Sequence, residues 1–223
     1  RSRWDCKRGK RLMEETWRWF GPKDKVPLQH VKQAGATGIV TALHHVPNGI
    51  AWSEDEIAKR KAEIETSGMR WSVVESIPIT EEIKTRTGDW KKHVEAYRQS
   101  IRNLARQGVG TVCYNFMPVI DWTRTDLYYK LPDGALSLRF DATEFAAFDL
   151  FILQRRNAEL EYTPERIEAA RKCYDAMDEG AREKLTRVII AGLPGAEESY
   201  TLDMFRAALA KYRGVDRNEF RNR

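Results

Sequence analysis

Three glycines set the plan of this chain. Gly35, Gly68 and Gly108 each close a stretch whose apolar residues recur at helical spacing, and each stands just before a short apolar run. Leu28 and Val31 mark the face of the first helix and Ile57 and Ile64 that of the second; Trp90, Val94, Tyr97, Ile101 and Leu104 mark the third. The apolar runs are Ile39 to Leu43, Trp71 to Glu75 and Val109 to Met117, and their character is what burial on both faces of a parallel sheet demands. With Thr16 to Phe20 as an opening strand, the spacing predicts four β/α units, with right-handed crossovers that put strands inside and helices outside.

The strands end alike. T-A-L-H-H-V-P at Thr41 to Pro47, W-S-V-V-E-S-I-P at Trp71 to Pro78 and T-V-C-Y-N-F-M-P-V-I-D-W-T-R-T-D at Thr111 to Asp126 each pass from an apolar run into polar residues and a proline. Polar residues at the carboxyl ends of successive strands are how the mouth of a β/α barrel carries its chemistry.

In 223 residues, a 42% hydrophobic content is enough for a substantial core, and no segment is apolar enough to cross a membrane. The formal net charge of +5 invites a nucleic-acid reading, but residues 1–12 hold six basic residues against Asp5, and the rest of the chain is balanced. The basic signal is thus a leader rather than a binding face. It lacks the apolar stretch of a secretory signal, and Met13 reads as the natural start. An added or upstream tail is expected there, with RNA binding or organelle targeting as the other readings. Cys6, Cys113 and Cys173 form no C-x-x-C pair, which argues against a disulfide framework or zinc knuckle and fits a reducing cytoplasm. Cys113, amid apolar residues, is expected to be buried and inert. Lys59, Arg60 and Lys61 read as a solvated helix face.

Beyond Asp126 the rhythm changes. Leu131 to Gly134 reads as a turn, Asp141 and Glu144 as a capping box, Thr163 with Pro164 as a helix start, and Ala181 to Ala191 and Leu202 to Tyr212 as helices. No strand is expected over this stretch. Asp216 and Glu219 cap a last helix that has few residues left to it. Four strands, against the eight strands and roughly 250 residues of a complete barrel, lead us to expect the N-terminal part of a longer protein. The expected division is a leader at 1–12, four β/α strands at 13–126, and a helical insertion with a truncated helix at 127–223.

These motifs, with T-W-R-W-F-G-P at Thr16 to Pro22, Q-A-G-A-T-G-I-V-T at Gln33 to Thr41 and I-I-A-G-L-P-G-A-E-E at Ile189 to Glu198, resemble mannonate dehydratase from Met13 to Arg223. The resemblance implies a TIM-type barrel of the xylose isomerase-like kind. It also implies a hydro-lyase of glucuronate catabolism that converts D-mannonate to 2-keto-3-deoxy-D-gluconate with manganese or ferrous iron. It further implies a cytoplasmic homo-oligomer acting on a small sugar acid, with no nucleic-acid or membrane partner. The family's His, Cys and Asp metal ligands and its acid/base groups are expected after Arg223, so the chain alone is expected to be inactive. A non-catalytic half-barrel module acting through self-association is the alternative. His30, His44, His45 and His93 offer no H-x-x-x-H spacing of their own.

Seven residues are candidates for substrate contact. His44 and His45 are adjacent at a strand end, so at most one faces the mouth; the other reading packs the following proline. Glu75 ends an apolar strand, where an unpaired carboxylate would be costly, so it belongs to a pocket or to an ion pair. Arg18 alternates with Trp17 and Trp19 and is either a mouth residue or an exposed strand-end arginine. Asn115 can both donate to and accept from sugar hydroxyls. Arg124, near Asp121 and Asp126, can grip a carboxylate or close a loop salt bridge. Trp122 stacks on a sugar or caps the core. Cys173, Tyr174 and Met177 read as helix packing.

Overall fold

A computed structural model of the chain describes residues 13–120, 122–190 and 201–223. The leader, Asp121 and most of the Ile189 to Glu198 block lie outside them. The fold is mixed α/β and divides into two compact units, residues 1–116 with 220–223, and residues 117–219.

The first unit is built on parallel strands β1 (Thr16–Arg18), β2 (Gly38–Thr41) and β3 (Arg70–Val74), in that order in the sheet. Helix α1 (Leu28–Gln33) joins the first pair and α2 (Glu54–Thr66) the second, with α3 (Glu81–Thr85) and α4 (Trp90–Arg106) following. Ser53 caps α2 by accepting from the Glu56 amide, and Gly68 takes the left-handed conformation that ends it. Ile39, Trp71 and Val74 of the sheet share one buried core with Leu28, Val31, Ile57, Ile64 and Leu104 of the helices. On the opposite face, Gly38 lies under a bidentate Glu14–Arg70 pair, both contacts 2.5 Å, into which Ser72 also donates at 3.0 Å. A Cβ at Gly38 would lie 2.1 Å from Ser72 Oγ and 2.6 Å from Glu14 Oε1, so a larger residue there would displace these side chains.

The expected fourth strand shrinks to one parallel bridge, Val74 to Val112, flanked by hydrogen bonds through Thr111 and Cys113. Beyond it Tyr114 is 65% exposed, Met117 and Val119 adopt positive φ, and Pro118 has no amide to donate, so no ladder runs on past Met117. Cys113 is exposed rather than buried.

The second unit corrects the expectation of a strand-free stretch. Antiparallel strands β4 (Asp126–Lys130) and β5 (Leu136–Arg139) form a hairpin about the turn at Leu131 to Gly134. Helix α5 (Ala142–Ala147) runs into a π-helical turn at Phe148–Ile152, followed by a short 3-10 turn at Ala158–Glu161. Helices α6 (Pro164–Ala176), α7 (Glu179–Ile190) and α8 (Leu202–Ala210) come after it, followed by α9 (Arg217–Asn222), whose residues from Phe220 belong to the first unit. Phe148, Leu185, Ile189 and Phe205 form its main core, with Met177 packed against it; Cys173 and Tyr174 pack on a smaller alanine cluster.

Candidate functional site

Strand register builds the site in the first unit. Arg18 pairs with Val40 and Val40 with Val73, so these three residues face the same way. Glu75 lies two residues beyond Val73, and its amide still donates to the Thr41 carbonyl at 3.0 Å, so alternation brings its side chain to the same face as Arg18. The two side chains meet: Arg18 Nε ion-pairs with Glu75 Oε1.

His44 completes the cluster from the turn after β2, with Nε2 3.9 Å from Glu75 Oε2. Phe20 lies beneath, the Arg18 guanidinium 3.9 Å from its ring centroid and the His44 ring 6.1 Å away. Among the described residues the buried Glu75 Oε2 has no hydrogen-bond partner, a costly state for a carboxylate oxygen.

His45 turns elsewhere, 2.7 Å from Glu56 on α2. Hydrogen bonds from Lys59 and then His45 hold Glu56 below the ordinary carboxylate pKa. Arg60, read from sequence as a solvated charge, is 7% exposed. It donates to the Ala42 carbonyl at 3.1 Å and to Thr41 Oγ1 at 3.4 Å, and it ion-pairs with Glu63 at 3.3 Å. Its guanidinium also lies 5.3 Å from the Trp19 ring centroid. Burial lowers its pKa from the usual arginine value. Arg60 thus braces the backbone just before His44. Helical periodicity carried the signal, since Arg60 stands three residues after Ile57 and four before Ile64 on the buried face; its charge and its lysine neighbours masked it.

The other candidates are placed differently. Asn115 is half-buried beyond the Val112 bridge. Trp122 and Arg124 belong to the second unit. Trp122 is 62% exposed and so does not cap a core, with the Arg124 guanidinium 6.0 Å from its ring centroid. Arg124 donates to the Thr123 carbonyl at 2.9 Å, while Asp126 accepts from the Tyr128 amide at 2.8 Å. No Arg124–Asp126 ion pair forms among the described residues, and Asp121 lies outside them. Phe20 is the site residue that sequence reading passed over; its place after T-W-R-W, next to the breaking Gly21, was the available signal.

A forked cation, a carboxylate and an imidazole at the ends of three parallel strands can bind a polyhydroxy acid, the arginine taking an anion and the other groups taking hydroxyls. Among the described residues, no three His, Cys, Asp or Glu side chains come together as a metal site, so no chemical step is assigned to an ion here.

The D-mannonate dehydratase (UxuA) family model matches residues 13–223. The chain belongs to that family. It is 55% identical over 210 residues to a mannonate dehydratase of Chromohalobacter salexigens, covering 94% of this chain and 54% of the relative. A Marinomonas mannonate dehydratase is 53% identical over 209 residues, with the same coverage. Among solved structures, the mannonate dehydratase of Streptococcus suis serotype 2 superposes with a TM-score of 0.58 at 36% identity, over 78% of this chain and 51% of that one. The chain therefore spans about half the length of these family members.

Proposed function

We propose that this chain belongs to a hydro-lyase that removes water from D-mannonate to give 2-keto-3-deoxy-D-gluconate, a step of glucuronate catabolism, and that its strand-end cluster binds the sugar acid. The observation that carries the reading is the meeting of Arg18, Glu75 and His44 at the carboxyl ends of three parallel strands, in a chain of this family. Parallel β/α units with chemistry at that end fit a barrel of the xylose isomerase-like kind. Asn115, in the same unit, is proposed as a further substrate contact.

Manganese or ferrous iron is the proposed cofactor; when bound it would supply positive charge beside the sugar-acid carboxylate, and no described residues come together to hold it. The residues of the cluster bind and orient. Calorimetric titration with D-mannonate is expected to show saturable binding to the 223-residue chain, and an assay for the keto acid with added manganese to show no turnover. Absence of binding would remove the sugar-acid reading, and turnover would show that essential groups lie within this chain.

The hairpin favours self-association as a further property. Tyr128, Leu136 and Leu138 are 72%, 64% and 45% exposed on it, an apolar surface suited to a second copy in a cytoplasmic homo-oligomer. Light scattering across a concentration series measures it.

A further inference from the structure

Arg18 is held on two sides. Its Nε is engaged by Glu75, and one face of its guanidinium lies on Phe20 at 3.9 Å. Among the described residues no carboxylate other than Glu75 lies within ion-pair reach of it. An arginine fixed through Nε and one face has its terminal nitrogens aimed in one direction, and that fork matches the two oxygens of a carboxylate. Arg124, the residue whose sequence context suggested this task, instead donates to its neighbour's carbonyl at 2.9 Å.

Building on the sugar-acid reading, we propose that Arg18 is the anchor for the substrate carboxylate and that Glu75 is the positioning residue that orients it. Glu75 offsets the charge of Arg18, so the site selects its ligand by the directed fork rather than by net attraction. Phe20 serves as the platform, its ring face favouring the cation. The ligand class is set by that fork: open-chain sugar acids are preferred over neutral polyols of the same length.

The test compares D-mannonate with D-mannitol, the same carbon chain with a hydroxymethyl in place of the carboxylate, in NMR titrations of the nitrogen-15-labelled chain. The wild type is expected to bind mannonate at least about tenfold more tightly than mannitol, as one charge-assisted contact predicts. Arg18→Gln brings the two affinities together by weakening mannonate alone, and Arg18→Lys, charged but unforked, falls between. Glu75→Ala loses the preference and the sharp, slowly exchanging Arg18 Nε–H signal. Glu75→Gln, which still offers an oxygen to Nε, restores both.

Equal binding of mannonate and mannitol by the wild type, or an unchanged preference in Arg18→Gln, would overturn the anchor while leaving the sugar-acid reading standing. A preference and an Nε–H signal that survive in Glu75→Ala would overturn the positioning role. If neither compound binds, the sugar-acid reading falls and the anchor with it. Far-ultraviolet circular dichroism of each variant separates loss of fold from loss of site; should Glu75→Ala unfold, Glu75→Ser provides the same contrast with Glu75→Gln.

Discussion

Asp149 shows how much a single buried charge depends on its neighbours. Its side chain is 4% exposed, and it accepts from Arg155 Nε and Nη2, both at 2.8 Å, and from the Tyr162 hydroxyl at 2.9 Å. Arg155 also reaches Glu161 at 2.7 Å. The Asp149 hydrogen bond raises the Arg155 pKa, and burial first, then the Asp149 charge, raises that of Tyr162. Removing one partner strands the other charge, so Arg155→Leu should cost about 3 kcal/mol in a urea titration. The double replacement with Asp149→Leu should recover much of that loss, since no buried charge is left unpaired. Because folding raises the Tyr162 pKa, the protonated phenol is the form the fold favours. Its contribution should be fully present below about pH 10 and fall as pH rises above it. None of this was legible in sequence: Asp149, Arg155 and Tyr162 are ordinary polar letters until the π-helical turn brings them together.

At the scale of the element, caps fix the start of the second unit's helices. Asp141 Oδ1 accepts from the amides of Thr143 and Glu144 at 2.8 and 3.0 Å, and Arg139 donates to its other oxygen at 2.5 Å. These contacts, the Glu144 amide foremost, hold the Asp141 carboxyl below its usual pKa. Asp141→Ala should lower stability by about 1 kcal/mol. The sign of the pH dependence is the reverse of that for Tyr162: the contribution is present above the unfolded value near about pH 4 and is lost as pH falls through the lower folded value. Thermal unfolding of wild type and Asp141→Ala should therefore converge in acid. Helices with strong start signals, at Ser53, Asp141 and Thr163, were readable because the capping oxygen and the amide it meets are neighbours in the chain. The β4–β5 hairpin was not. Its Pro-Asp-Gly turn was visible and L-S-L-R alternates, but both runs are short, L-Y-Y-K does not alternate, and Tyr128, Leu136 and Leu138 stay largely exposed.

At the scale of the whole molecule, each unit has its own core, with Ile64 and Leu104 buried in one and Ile189 and Phe205 in the other. A cavity at Ile64, fully buried in the first core, should cost about 3 kcal/mol. In Ile64→Ala, hydrogen exchange should accelerate across β1 to β3, α2 and α4, while amides of α5 to α7 keep their protection. Exchange that rose equally in both units would mean that the two cores unfold as one.

Sequence alone determined the β/α order of the first unit, its helix-ending glycines, the polar strand ends and the family. All of these rest on short-range spacing and on residue types that act locally. Tertiary structure decided the rest. The β1–β2–β3 register set Arg18 against Glu75, the packed sheet buried Arg60, and the fourth strand came to a single bridge at Val112. The physical reason is range: a side chain's partner in a sheet is chosen by hydrogen bonds between segments far apart in the chain, and no local pattern encodes that choice.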